Sequence, residues 1–123
     1  MVLKRPLNTN VILYLPGGKL AQPLPAGQYF VSVISEMELL SYPSLDEAAF
    51  AQVRGFLAEV TVVDLTEEVR EIAIRLRRQH MVKLPDAIVA GTALSLRADL
   101  ITNDTKLLRV PGLSCQRLEL KNA

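Results

Sequence analysis

The sequence predicts an α/β fold, a short and mostly parallel sheet flanked by helices. Three observations carry this. Short apolar or β-branched runs alternate with stretches of helical periodicity. That β-helix-β order favours parallel neighbours in a layered fold. One helical stretch, Asp86 to Leu96, is apolar nearly all round, as expected of a helix buried against a sheet.

The elements follow in order. Val11 to Leu15 is an apolar run closed by Pro16-Gly17-Gly18, and Asn8, Thr9 and Asn10 lie around the first strand. Residues 19–28 hold two prolines and a glycine and read as a loop or broken helix. Tyr29 to Ile34 is a strand by its aromatic and β-branched content. A helix spans about Glu36 to Tyr42, stopped by Pro43. Ser44-Leu45-Asp46-Glu47 is a capping box opening a helix to about Glu59, with Leu45, Ala49, Val53, Phe56 and Leu57 on its apolar face. Val60 to Leu65 is the third strand. Thr66 caps the next helix, which is acidic at its start and basic at its end, with Val69, Ile72, Ala73 and Leu76 facing the core. In the helix from Asp86, Ala87, Ala90 and Gly91 let another backbone approach. That helix and Phe50 leave surface for association. Leu100 to Thr102 ends a strand, Thr105 to Leu108 is a short helix, and Gln116 to Leu120 is an edge strand.

Composition narrows the chemistry. The 123 residues are 50% hydrophobic and 22% charged, which suits one globular domain over 1–123. Fourteen basic against thirteen acidic residues leave a net charge of +1, which excludes a strongly basic nucleic-acid-coating protein. A single cysteine, Cys115, excludes an intrachain disulfide and a Cys-based zinc site; it reads as a small buried apolar residue. With one histidine, His80, any metal must sit on oxygen ligands, which favours Mg²⁺, Mn²⁺ or Ca²⁺. No targeting segment or membrane-spanning run is visible, so the expected compartment is the cytoplasm.

In a parallel sheet, sites form beyond the carboxyl ends of the strands. Asn8, Glu38, Asp86 and Asp104 fall at such positions. Each also has an ordinary explanation. Ser35-Glu36-Met37-Glu38 spells a capping box, and Asp86 and Asp104 stand where helix-capping acids belong. Convergence is what favours function: clustered carboxylates repel unless a cation neutralises them, and an oxygen-only cluster suits Mg²⁺ or Mn²⁺ and hydrolytic phosphoryl chemistry.

The same segments resemble the PIN-domain family. Leu7-Asn8-Thr9-Asn10-Val11-Ile12 is similar to its opening Leu-Asp-Thr-Asn-Val-Leu. Ser32-Val33-Ile34-Ser35-Glu36-Met37-Glu38-Leu39 resembles the second motif, with the family glutamate on Glu38. Leu84-Pro85-Asp86-Ala87-Ile88-Val89-Ala90 resembles the third, on Asp86, and Leu100-Ile101-Thr102-Asn103-Asp104 the fourth, on Asp104. Within the family, the chain is most similar to VapC-type toxins of prokaryotic toxin–antitoxin pairs. The resemblance implies a PIN-like three-layer fold and a Mg²⁺- or Mn²⁺-dependent endoribonuclease. Asn8, Glu38, Asp86 and Asp104 would be its catalytic and metal-binding residues, with Thr102 and Asn103 supporting. It also implies a homodimer and a cognate antitoxin, whose arginine enters the acidic cleft.

One departure matters. Asn8 stands where the family has its first metal-binding Asp, leaving three carboxylates instead of four. Either the chain is a natural member of weak or no activity, or it is a disarmed form of a toxic ribonuclease. Arg75, Arg77, Arg78, His80 and Lys83 precede Asp86 and are candidates to hold RNA phosphates; a solvated helix end is their ordinary reading. Two rivals remain. A phosphorelay receiver shares the strand-helix rhythm but needs an acidic pair where Asn8 and Asn10 stand. A non-catalytic PIN-like module binding RNA or a protein partner is motivated by Asn8 alone.

Overall fold

The computed structural model describes residues 2–121. Its strands β1 (Lys4–Leu7), β2 (Gln28–Ser32), β3 (Thr61–Val63), β4 (Leu100–Ile101) and β5 (Cys115–Gln116) form one sheet in the order β3-β2-β1-β4-β5. Every neighbouring pair is parallel. The helices are α1 (Thr9–Leu13), α2 (Val33–Leu40), α3 (Glu47–Glu59), α4 (Glu67–His80), α5 (Leu84–Leu96) and α6 (Thr105–Leu108).

The sheet separates two cores. Leu7, Val31 and Ile101 are register partners, and they bury together with Val11, Ile12, Leu39, Val53 and Leu57 from α1, α2 and α3. Leu100 instead joins α4, α5 and α6 through Val69, Ala73, Leu76, Ala87 and Leu107. Side chains alternate across a strand, so consecutive residues Leu100 and Ile101 serve opposite cores. The result is the three-layer α/β architecture expected of the sequence.

Several boundaries differ from the sequence reading. The first strand is Lys4–Leu7, and Val11 to Leu13 belongs to a helix. Pro6 disguises this strand, since proline cannot donate to a ladder. Here it does little harm. The Asn8 N–H points to β4, donating to the Ile101 carbonyl at 3.0 Å. The Pro6 nitrogen, two residues earlier, faces the same side, before β4 pairs at Leu7. At β2 the strand stops at Ser32, whose hydroxyl accepts from the Ile34 N–H and starts α2, so Val33 and Ile34 are helical despite their β-branching. Asp46, not Ser44, caps α3, accepting from the Ala49 N–H at 2.7 Å. The third and last strands are shorter than expected, and Leu120 makes only an isolated antiparallel bridge to Leu20.

The two longest-range helical predictions hold. Thr66 caps α4, and Val69, Ala73 and Leu76 are buried with Ile72 packed beside them. Ala87 through Ala93 are all buried in α5. Its small residues are used internally: a Cβ on Gly91 would lie 3.1 Å from the Val69 carbonyl oxygen of α4. That face is therefore not left for a partner, contrary to the sequence expectation. Among the described residues, no helix is long and apolar enough to cross a membrane.

Candidate active site

The topology gathers the polar residues at one end of the sheet. Asn8 follows β1, Asp104 follows β4, and Glu38 lies on the helix that leaves β2. These are the three central strands, with β1 in the middle. Asp86 sits in the first turn of α5, the helix that returns to begin β4.

Asn8 is buried, 5% exposed, and works twice. Its Oδ1 accepts from the Thr9 N–H at 2.8 Å, capping α1. That fixes its Nδ2 toward β4, where it donates to Thr102 Oγ1 at 2.9 Å. Thr102 is fully buried, and the same oxygen also accepts from the Asp104 N–H at 3.0 Å. Thr102 thus joins residue 8 to Asp104. Asp104 in turn caps α6, one carboxylate oxygen accepting from the Lys106 N–H at 2.9 Å. The capping explanation is correct for this acid, and its other oxygen stays available.

The capping explanation fails for the other two acids. Ser32, not Ser35, caps α2, so Glu38 lies well inside the helix and serves no cap. Its Oε1 accepts from the Thr9 hydroxyl at 3.0 Å. Thr9 and the buried Ser35 also share a hydroxyl–hydroxyl bond of 2.8 Å. Thr9 has one hydroxyl proton and the carboxylate only accepts, so Ser35 donates in that second bond. Asp86 likewise caps nothing: Lys83 occupies the cap position of α5 without a side-chain bond, and Pro85 fills the first turn. Burial raises the Asp86 pKa above its ordinary value, and the Asp104 charge raises it further, against the lowering influence of Lys106 and Lys83. The Asp104 charge is therefore close enough to disfavour ionisation of Asp86.

A continuous series results: Glu38 bonds Thr9, Asn8 bonds Thr102, Thr102 holds Asp104, and the Asp104 charge acts on Asp86. Its donors are all oxygens, as a hard divalent cation requires. Among the described residues, however, no group of three or more His, Cys, Asp or Glu side chains lies close enough to hold a metal ion. Glu38 borders a separate shallow hollow with Met37 and Leu40. The donor set fits a hydrated Mg²⁺ on the Asp86–Asp104 pair, because that ion is commonly held by one or two carboxylates plus waters and substrate phosphate. It does not form a closed carboxylate cage.

The remaining candidates separate. Asn103 exchanges two bonds with the Leu118 backbone, at 2.9 and 2.8 Å, and so pins the C-terminal segment. Arg75 and Arg78 line a hollow of about 450 Å³ on the outward face of α4, with Glu71, Ile74 and Gln79. Arg77 donates to the Val82 carbonyl at 3.4 Å. Lys83 and His80 instead share a hollow with Asp86. Lys106 and Arg109 line it too, and sequence reasoning missed both; their signal was position, just past Asp104. Thr9 and Ser35 were also missed as site residues, because one opens the short helix α1 and the other spells a false capping box.

The PIN domain family profile matches residues 7–113. Among solved structures, the chain is similar to a toxin–antitoxin complex from Klebsiella pneumoniae, with 27% identity and a TM-score of 0.71 over 89% of this chain and 94% of that one. It is similar to VapBC-1 from nontypeable Haemophilus influenzae, with 26% identity and a TM-score of 0.70 over 94% and 98%. DNA-bound VapBC from Salmonella typhimurium aligns with a TM-score of 0.77 over 94% and 98%, at 23% identity, a likeness of fold alone. No curated protein matches the chain.

Proposed function

Since this chain belongs to the PIN-domain family, we propose that it is a VapC-like toxin, a metal-dependent endoribonuclease whose activity is weakened by Asn8. The observation that carries this is the pairing of Asp86 with Asp104 at the ends of the central strands, tied to residue 8 through Thr102. Two mutually repelling, partly desolvated carboxylates are costly unless a cation belongs between them.

Asp86 and Asp104 would hold Mg²⁺ or Mn²⁺, with residue 8 and Glu38 completing the oxygen ligands. The ion supplies stabilisation of charge on the phosphate and acidifies water. The chain's own part is placement. Thr102 and the Lys106 N–H fix the Asp104 carboxyl. Thr9 holds the exposed Glu38 carboxylate, which would serve as a further oxygen ligand. Water adds to phosphorus as one P–O bond of the RNA breaks, so no side-chain nucleophile is needed.

Relatives at 26–27% identity include structures of toxin–antitoxin complexes, which supports a protein antitoxin as partner. A homodimer is proposed through α2, α3 and the segment between them, where Met37 is 61% and Tyr42 is 46% exposed and Phe50 is only partly buried. The second reading, a non-catalytic module binding RNA or protein, is favoured by Asn8 and by the open carboxylate set.

The deciding experiment compares the native chain with Asn8→Asp on single-stranded RNA, with Mg²⁺, Mn²⁺ or a chelator. An added carboxylate strengthens the ion site, so the Asp form should cleave faster by about one to several orders of magnitude, the scale of a positioned catalytic group. Two equally inert forms under every metal would transfer the case to the binding module.

A further inference from the structure

Asp86 borders a hollow of about 300 Å³. Three permanent cations meet there from two parts of the chain. Lys83 precedes α5, Lys106 lies in α6, and Arg109 ends it. All three are exposed, and the apolar residues Val82 and Val110 form part of the wall. The hollow therefore has positive charge in excess of its one carboxylate.

A nuclease acting inside a strand must manage more than one phosphate. The bond being broken has phosphodiesters on either side. A cation held by Asp86 and Asp104 would neutralise only the reacting one. The neighbouring phosphate would meet the Asp86 field unless opposite charge covered it. We propose that Lys83, Lys106 and Arg109 form a subsite for the phosphodiester adjacent to the cleaved bond. The arginine offers a planar fork to two phosphate oxygens, while the lysines act as point charges. This subsite rests on the RNA-cleaving reading and assigns it a substrate-holding surface distinct from Arg75 and Arg78, which open on another hollow.

The test uses a fluorescein-labelled 12-nucleotide single-stranded RNA and the native chain in chelator, with binding followed by anisotropy across a salt series. The Lys106→Ala/Arg109→Ala pair should weaken binding tenfold or more at low salt. It should also flatten the slope of log K against log salt by about 1.4, since each single-strand phosphate contact contributes about 0.7. Lys106→Arg/Arg109→Lys should keep the slope. Lys4→Ala, at the opposite end of β1, should leave both quantities unchanged. An unaltered slope in the alanine pair overturns the subsite, as does a hexaglutamate peptide that displaces the RNA as well as unlabelled RNA does, which would assign the hollow to an acidic segment. Cleavage by Asn8→Asp is measured alongside. If that form cleaves while the alanine pair binds normally, the subsite alone fails. If binding depends on the pair but no form cleaves, the nuclease reading falls and the subsite with it, leaving an RNA-binding surface. If the native chain binds no RNA at low salt, both fall.

Discussion

Thr102 sets the terms on which residue 8 can change. Its buried oxygen accepts from both Asn8 Nδ2 and the Asp104 N–H, which uses both lone pairs. Its own hydroxyl proton then has no acceptor in this series. With Asp at position 8, the hydroxyl can donate to the carboxylate while still accepting from the Asp104 N–H. The polar surroundings thus suit an acceptor at position 8 better than an amide. Thr102→Val leaves two donors unanswered in the Asn8 chain, so it should cost about 1–3 kcal/mol, read from urea unfolding. Asp86 offers a pH test. Its folded pKa is raised above 3.8, first by burial and then by Asp104. The stability of a group with a raised folded pKa is full below the unfolded value and is lost as pH rises through the folded one. Asp86→Asn escapes that loss. Without metal it should unfold at higher urea than the native chain at neutral pH, with the difference vanishing as pH falls below 3.8. Equal midpoints at every pH would remove the carboxylate repulsion from the site.

Among elements, the α4–α5 pair is the clearest case of packing readable in advance. Val69, Ala73 and Leu76 repeat at helical spacing, and the small residues of α5 signal a close neighbour. The 3.1 Å separation between a Gly91 Cβ and the Val69 carbonyl identifies that neighbour as α4. Gly91→Val must push the helices apart, at a cost of about 1–3 kcal/mol, measurable as a lower thermal midpoint. An unchanged midpoint would mean the pair is looser than described. Other elements were less legible, for physical reasons. Pro6 argues against a central strand but is tolerated where β4 has not yet begun to pair. Val33 and Ile34 favour strands, yet the Ser32 cap overrides two residues' propensity. The four polar site positions could be named from motifs and strand ends. Their support could not, because Thr9, Ser35 and Thr102 act through contacts 26 to 94 residues apart.

At the scale of the whole molecule, α5 is closed to partners on its small-residue face, so association has to use other surface. Met37 and Tyr42 are apolar, exposed and close along the chain on and just after α2. Isolated exposed apolar residues are ordinary, whereas a group near one helix end marks a candidate interface. Light scattering should give twice the chain mass of 13.6 kDa for the native protein at micromolar concentration. Met37→Glu should shift it toward that single mass. A native protein that stays at one chain mass at high concentration removes the dimer.

The position of β1 also dictates timing. It precedes both β2 and β4 in the chain but lies between them in the sheet, and its Asn8 meets Thr102 across 94 residues of chain. Parallel pairings of such separation form late, because a long loop must close before they return any energy. A growing chain on the ribosome can therefore assemble β1 with β2 and bury part of one core while the end of the sheet that carries Thr102 and Asp104 does not yet exist. The carboxylate pair comes into being only after Asp104 has emerged and β4 has docked. The proposed nuclease site is thus incomplete until Asp104 and β4 are in place.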